Sequence, residues 1–426
     1  MASLTAKAEA ILAHAKQLDA ALEEKNLPYP SIHVDPLDDL PAEYQDLRAS
    51  LANGSNELKK LARGAVMDIM DITFCWTDAV PLLVIYHYNL AKAVPLEGTA
   101  SYAEISGSSG LHEDLCRRFI RCAMGSNLFD EDPATGRVRH TASSRKLATD
   151  SQLHDSVGLQ LEDIAPAALR LPKVWNRHGH DVGEQSRTAF SMENQSDLPT
   201  FGIYAAEPER GRRFGSAMGH YTKGDSWDLR HILTAFDWTA PELDYPGATI
   251  VDIGGGHGQI SYFLAQHTKH VRFVVQDLPE VVEVGRSQRS QVSDTLKSRV
   301  DFLAHSFLEP QQATEDPPAA FLLRYILHNW SDKYAVQILQ NLRPALRPGT
   351  KILIYEYVLE DKPVTDLSAR FGFQLDMIMA AMFNGKERRR VDFEKLLKAA
   401  DSRFVLNAVR MASGRTMHIV EVVWTG

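Results

Sequence analysis

The chain has 426 residues, 44% hydrophobic and 24% charged, with a formal net charge of −9 and a pI near 6.0. Such a composition describes a globular protein of roughly two or three domains with a large core, and its acidic balance excludes a partner held by a basic surface, such as a nucleic-acid backbone. Three cysteines, Cys75, Cys116 and Cys122, form no CxxC pair and are too few for a disulfide framework, so they read as reduced core residues of an intracellular, cytoplasmic protein.

Leu4, Ile11, Leu12, Leu18 and Leu22 recur at helical spacing and predict an amphipathic helix over 3–25. The first residues hold no uninterrupted apolar stretch of the signal-peptide kind. The most apolar run, PLLVIYHYNLA, is far shorter than the ~20 residues of a membrane span, so no membrane partner is expected. The Pro- and Asp-rich NLPYPSIHVDPLDDLP separates this helix from others that run to about Leu90. From Ser101 a short helix, a glycine break, a longer helix and a Pro/Gly turn between strand-like segments read as a winged helix. Leu115, Phe119, Ile120 and Met124 are its expected inward residues. Arg117, Arg118 and Arg121 on the same helix would read DNA in such a module, or else decorate a solvated face or an interface; the acidic chain and the single copy favour the latter.

After a mostly helical stretch, 151–240, the period changes. ATIVDIGGG, HVRFVVQDL, RVDFLAHSF, AAFLLRYIL and TKILIYEYV are apolar strands alternating with helix-compatible segments, which predicts a parallel sheet covered on both faces. RFVLNAVRM and MHIVEVVW, joined by a short SGR turn, predict a terminal antiparallel hairpin. The natural divisions are 1–150, 151–240 and 241–426. HGHD, His178–Asp181, has a metal-ligand look but lacks a second ligand group at a recognisable spacing, so it reads as a polar loop and no metal is expected.

VDIGGGHGQI ends the first of these strands and opens a helix, the setting a glycine-rich cofactor loop requires. A dinucleotide fingerprint, GxGxxG, would need glycine at Gln259 or Ser261. The sequence instead offers Gly254, Gly256 and Gly258, with Asp252 two residues ahead and Asp277 ending the next strand, placed to accept hydrogen bonds from ribose hydroxyls.

With VDIGGGHG, VVQDLPEVV, ILHNWSD, LIYEYVL and FNGKER in this order and spacing, the chain resembles the S-adenosylmethionine-dependent O-methyltransferases of the plant caffeic-acid type, especially their fungal secondary-metabolite branch. The likeness extends over most of the chain. It implies an α/β fold: a seven-stranded, Rossmann-like class I methyltransferase sheet, preceded by a mainly helical winged-helix domain that makes a homodimer. It also implies S-adenosyl-L-methionine as cofactor, held by Gly254, Gly256, Asp277, Phe307, Arg324 and Trp330, with Arg324 standing where plant members usually have lysine. The family usually has Asp before the position of Phe307, to hold the adenine amine; here Ser306 can hydrogen-bond but carries no charge. Met218, Ile378 and Met382 match positions that line the acceptor pocket, to which 151–240 contributes, and imply a flat, apolar, aromatic or polyketide-derived acceptor.

LLRYILHNWSD places His328 at the end of a buried strand, where open α/β sheets put their chemistry. A phenol has a pKa of about 10, so its oxygen must lose a proton as a methyl group arrives, and a histidine suits that task. Its ring needs an orienting carboxylate. Glu356, ending the fifth strand, and Glu387, in FNGKER, are the candidates, and the resemblance gives the family's histidine and two acids these same positions. Methyl transfer to a hydroxyl is therefore the expected reaction. A different chemistry on the same scaffold, dehydration or pericyclic ring closure with the cofactor retained but not consumed, is left open by Ser306 and by Lys333 after SD.

Overall fold

In the computed structural model, residues 3–33, 44–180, 183–223, 227–362, 367–413 and 417–426 are described. They fall into two compact units. One comprises Met1–Pro166, Tyr204–Asp225 and Asp366–Ser368; the other comprises Ala167–Ile203, Ser226–Thr365 and Ala369–Gly426, so that 151–240 is shared between the two.

The first unit is helical. Its opening helix, Leu4–Glu24, starts where the Ser3 hydroxyl accepts the Ala6 N–H at 3.1 Å, an N-cap that satisfies one free donor of the first turn. Leu18 and Leu22 bury against Leu47 and Leu51. The winged helix is present: helix Tyr102–Ser109 begins with a Ser101/Glu104 capping box and ends at Gly110 (φ +76°), and helix Glu113–Met124 leads to an antiparallel wing of Asp130–Glu131 and Val138–Arg139.

The inward stripe of that second helix differs from expectation. Cys116, Ile120 and Ala123 are buried, Phe119 and Met124 are half-buried, and Leu115 is exposed. Small residues in the stripe bring the helix close to its neighbours, so its phase follows packing and not side-chain size. Arg117 pairs with Glu113, and Arg121 grips Glu131 at 2.9 and 2.7 Å. Of the cysteines only Cys116 is core; Cys75 and Cys122 are exposed.

One stretch corrects the hydropathy reading. The helices Ala65–Thr73 and Trp76–His87, separated at Phe74 and Cys75, together make a 23-residue helical run long and apolar enough to cross a membrane. PLLVIYHYNLA, Pro81–Ala91, overlaps only its last seven residues and runs past its end. Val66, Ile69, Ile72 and Trp76 stand exposed along it.

The second unit contains all seven expected sheet strands: β1 (Thr249–Ile253), β2 (Arg272–Asp277), β3 (Val300–Ala304), β4 (Ala320–Arg324), β5 (Lys351–Glu356), β6 (Phe404–Met411) and β7 (His418–Trp424). Their order is β6-β7-β5-β4-β1-β2-β3, parallel except for β7, which runs antiparallel to β5 and β6. Alternate residues feed two cores. Val251, Phe321, Leu323, Ile352 and Ile354 face helices Asp332–Leu342 and Arg390–Ala400, while Ile250, Phe273, Leu322 and Leu353 face the layer that holds Leu264 and Trp238. Burial on both faces explains the near-continuous apolar runs. Gly414 and Arg415 of the hairpin turn and Asp181 of HGHD lie outside the described residues. The order reverses between β1 and β4, and a crevice at such a switch point, outside the strands' carboxyl ends, is where open sheets bind ligands.

Candidate active site

The glycine loop leaves β1 with three left-handed residues, Gly254 (φ +64°), Gly256 (φ +59°) and Gly258 (φ +79°). A Cβ on Gly254 would lie 2.5 Å from Ile326 Cδ1, the tip of a side chain that can turn aside, so it is the left-handed φ that favours glycine there. At Gly256 a Cβ would meet nothing within 4 Å, so its backbone borders open space. Asp277, at the end of β2, accepts the Gly256 N–H at 2.9 Å and the Leu278 N–H at 2.8 Å. Burial raises its pKa above the usual carboxylate value, and each oxygen keeps a lone pair for a further donor. Asp252 lies beneath the loop, fully buried; it accepts the Ser261 hydroxyl at 2.6 Å, and burial pushes its pKa up to about 7.

Beyond β3 the Ser306 hydroxyl accepts the Leu308 N–H at 3.3 Å, which fixes a turn that presents Phe307. Phe307 stands edge-on to Trp330 with ring centroids 5.6 Å apart. Arg324 ends β4 with its guanidinium 4.7 Å over the Tyr325 ring, and its buried Nε has no hydrogen-bond partner among the described residues.

His328 sits on the 3-10 turn Leu327–Asn329 that follows β4, buried, with Nδ1 2.7 Å from Glu387 Oε1. Both carboxylates are brought to it by a two-residue parallel pairing of Val358–Leu359 with Arg388–Arg389, which fastens the chain after Glu356 to the chain after Glu387. Their roles differ from the expected pair of ring flanks. Glu387 holds the imidazole, whereas Glu356 Oε1 accepts the backbone N–H groups of Ile326 (2.9 Å) and His328 (3.2 Å) and so fixes the turn. Burial pulls the His328 pKa down, but the charge and hydrogen bond of Glu387, with the charge of Glu356, outweigh it and leave the pKa raised. Burial also raises that of Glu356. Among the described residues, no hydrogen bond is made to His328 Nε2, the nitrogen available to an incoming hydroxyl.

Several residues of this site escaped the sequence reading. Gly385 lies so near the histidine turn that a Cβ there would come 2.1 Å from the His328 carbonyl oxygen; Lys386 N–H donates to that oxygen at 3.0 Å. Arg388, within the charge run KERRR, is buried and donates to the carbonyls of Leu327 (2.7 Å) and Trp330 (2.8 Å). Asp376 accepts the Glu387 N–H at 2.9 Å, and Gln185 bridges the carbonyls of Asn329 and Phe383. Only Gly385 had a visible signal, a glycine in a loop between two functional positions.

Of the expected acceptor-lining residues, Ile378 is half-buried and Met382 is buried, with the Thr200 hydroxyl bonded to its carbonyl. Met218 belongs to the first unit, partly exposed on helix Pro208–His220. Lys333 pairs with Glu184 at 2.7 Å on the surface, away from the chemistry.

The strand order and the loop at the switch point are those of a class I methyltransferase. Residues 187–403 match the O-methyltransferase domain family. The chain is 33% identical to a chlorophenol O-methyltransferase of Trichoderma longibrachiatum, over 98% of this chain and 89% of that one. Its fold is similar to that of OxaC (TM-score 0.78, 19% identity, 99% of both chains) and to a structure described as a pericyclic reaction enzyme (TM-score 0.72, 21% identity, 90% of this chain and 95% of that one). The chain belongs to the S-adenosylmethionine-dependent O-methyltransferase family, in its fungal secondary-metabolite branch. The residues present fit that cofactor: an open left-handed glycine beside a carboxylate with spare lone pairs, an aromatic pair, and a buried guanidinium nitrogen without a partner.

Proposed function

We propose that the enzyme methylates a phenolic or enolic hydroxyl of a small aromatic or polyketide-type metabolite, with His328 as general base. The observation that carries this reading is the 2.7 Å contact of Nδ1 with Glu387, opposite an Nε2 that makes no hydrogen bond among the described residues. The contact places the ring proton on Nδ1, so Nε2 is the basic nitrogen. The pKa raised by Glu387 makes that nitrogen a stronger base, and the carboxylate stabilises the imidazolium formed when the acceptor's proton arrives. Gly254, Gly256, Asp277, Ser306, Phe307, Arg324 and Trp330 would hold S-adenosylmethionine, which when bound supplies an electrophilic methyl group. The protein's remaining task is to keep oxygen and methyl in line, a positioning effect that needs no metal.

An acceptor of the phenol class is supported by the chlorophenol-methylating relative. A homodimer is supported by the exposed apolar residues of Ala65–His87 in the first unit, and a reducing, cytoplasmic location by exposed Cys75 and Cys122. A second reading, ring closure or dehydration without methyl transfer, draws on uncharged Ser306; Lys333, paired on the surface, no longer supports it.

The test is to incubate the protein with S-adenosylmethionine and a panel of chlorophenols, other phenols and enolic pyridones. S-adenosylhomocysteine release is followed beside the His328→Ala variant. Acceptor-dependent release that falls at least a hundredfold in the variant is the expected result. Release unaffected by the variant rejects His328 as base, and acceptor conversion without release rejects methyl transfer.

A further inference from the structure

Three features of the second unit compete for an explanation that methyl transfer does not supply. A cleft of about 680 Å³ near Phe236 is flanked by Lys351 and Arg410, but both cations are already engaged by the buried Glu421, at 2.8 and 2.5 Å. Asp376 acts on the backbone of Glu387 alone. The third feature is Tyr325, which departs from the ordinary rules of backbone geometry at the centre of the site.

Tyr325 has φ +56°. Left-handed backbone is disfavoured for bulky L-residues, and an outlier of this kind at a site points to a role. Here the conformation turns the chain out of β4 directly into the turn that carries His328. It is held from both sides: the Tyr325 N–H donates to the Tyr355 carbonyl at 3.3 Å, and the Asn329 side-chain amide donates to the Tyr325 carbonyl at 3.0 Å. Glycine or asparagine would adopt this backbone with less strain. What tyrosine adds is its ring, which lies nearly parallel to the His328 imidazole, with centroids 5.3 Å apart and planes inclined by 24°.

We propose that Tyr325 is a positioning residue for the base. Glu387 holds the edge of the imidazole at Nδ1, and the Tyr325 ring covers its face, so that together they fix the direction of Nε2. The ring's π face also favours the imidazolium that forms when the proton is taken. The inference rests on His328 as base, yet its first readout is independent of turnover.

The experiment compares Tyr325→Phe, which keeps the ring, with Tyr325→Asn and Tyr325→Gly, which keep the backbone and lose the ring. Histidine-selective NMR follows the Nδ1 proton of His328, assigned with His328→Ala. The expected result is a sharp, far-downfield resonance in the parent and the Phe variant that broadens or vanishes in the Asn and Gly variants, recorded well below the Tm of each. With an acceptor from the phenol panel, kcat should drop 10- to 100-fold in Asn and Gly, with KM within twofold and Phe close to the parent. A sharp resonance in the Asn and Gly variants overturns the proposal. So does a kcat per competent site, counted by cofactor titration, that stays at the parent's value in both, because Tyr325 would then act only through its packing on the core. If His328→Ala keeps its turnover, the base reading fails by itself, and the resonance still decides whether Tyr325 orients the ring.

Discussion

Gly385→Ala is a one-carbon perturbation with a calculable effect. The added Cβ would lie 2.1 Å from the His328 carbonyl oxygen, 2.8 Å from the Asn329 carbonyl carbon and 3.1 Å from its Cα. All three are backbone atoms, so no side-chain rotation relieves the overlap. An ordinary C···O contact of about 3.3 Å requires the two segments to part by more than about 1 Å. The 3.0 Å bond from Lys386 N–H to the His328 carbonyl and the 2.7 Å contact of Glu387 with the imidazole cross that same gap, and both would stretch beyond hydrogen-bonding range. Misplacing a catalytic group by about 1 Å costs on the order of a hundredfold in rate, or about 2.7 kcal/mol of barrier. Overpacking costs about 1–3 kcal/mol in stability. Turnover measured well below the variant's Tm separates the two losses. Gly107→Ala, on an exposed helical turn with nothing within 4 Å, is the control that should keep full activity and gain slightly in Tm. Parental kcat and Tm in Gly385→Ala would mean that these backbones do not touch and that Glu387 is not placed through them.

The carboxylates give two pH-dependent predictions. His328 accepts a proton only when neutral, so kcat/KM should fall as pH drops through its raised pKa; Glu387→Gln removes the first of the interactions that oppose burial and should move this acid limb to lower pH, alongside a reduced kcat. A limb that does not move would separate Glu387 from the titration. Asp252 behaves in the opposite sense to a salt-bridged acid. Its folded pKa of about 7 lies above the unfolded value, so the native state loses stability as pH rises from about 4 to about 7 and is level beyond. That loss is bounded at about 4 kcal/mol. Asp252→Asn should be free of the slope, and chemical denaturation at pH 5 and pH 8 should show its advantage over the parent growing with pH. An equal difference at both values would place the carboxyl in a wetter site.

The sheet was legible because strands buried on both faces leave continuous apolar runs, and the glycine loop because left-handed turns at a close backbone approach admit few other residues. His328 and Glu356 could be named because titratable residues at the ends of apolar strands are conspicuous, and Glu387 because FNGKER is one of the motifs that carry the family resemblance. What each does was less visible. Glu356 bonds two backbone N–H groups and not the ring, which it reaches only through its charge, a role fixed by a pairing between segments distant in sequence. Arg388 looks in sequence like its charged neighbours, and only the position of two carbonyls and the Asp332 carboxylate makes it a buried clamp. In helix Glu113–Met124 the large residue Leu115 suggested the wrong face, because side-chain size says nothing of which stripe a close-packed neighbour selects. The run Ala65–His87 was missed because Asp68, Asp71 and Asp78 interrupt its apolar sequence, which leaves Pro81–Ala91 as the most apolar stretch.

The short pairing of Val358–Leu359 with Arg388–Arg389 has a consequence for how such an enzyme diversifies. Helix Leu367–Phe383, which carries Ile378 and Met382, leaves the catalytic end of β5 and returns to it between two anchored points. Glu356 and Glu387 lie next to those anchors, and Asp376 of the helix also accepts the Glu387 N–H at 2.9 Å. On the proposed function, substitution at Ile378 or Met382 would recast the room offered to an acceptor while the short pairing and Asp376 keep Glu356 and Glu387 in register.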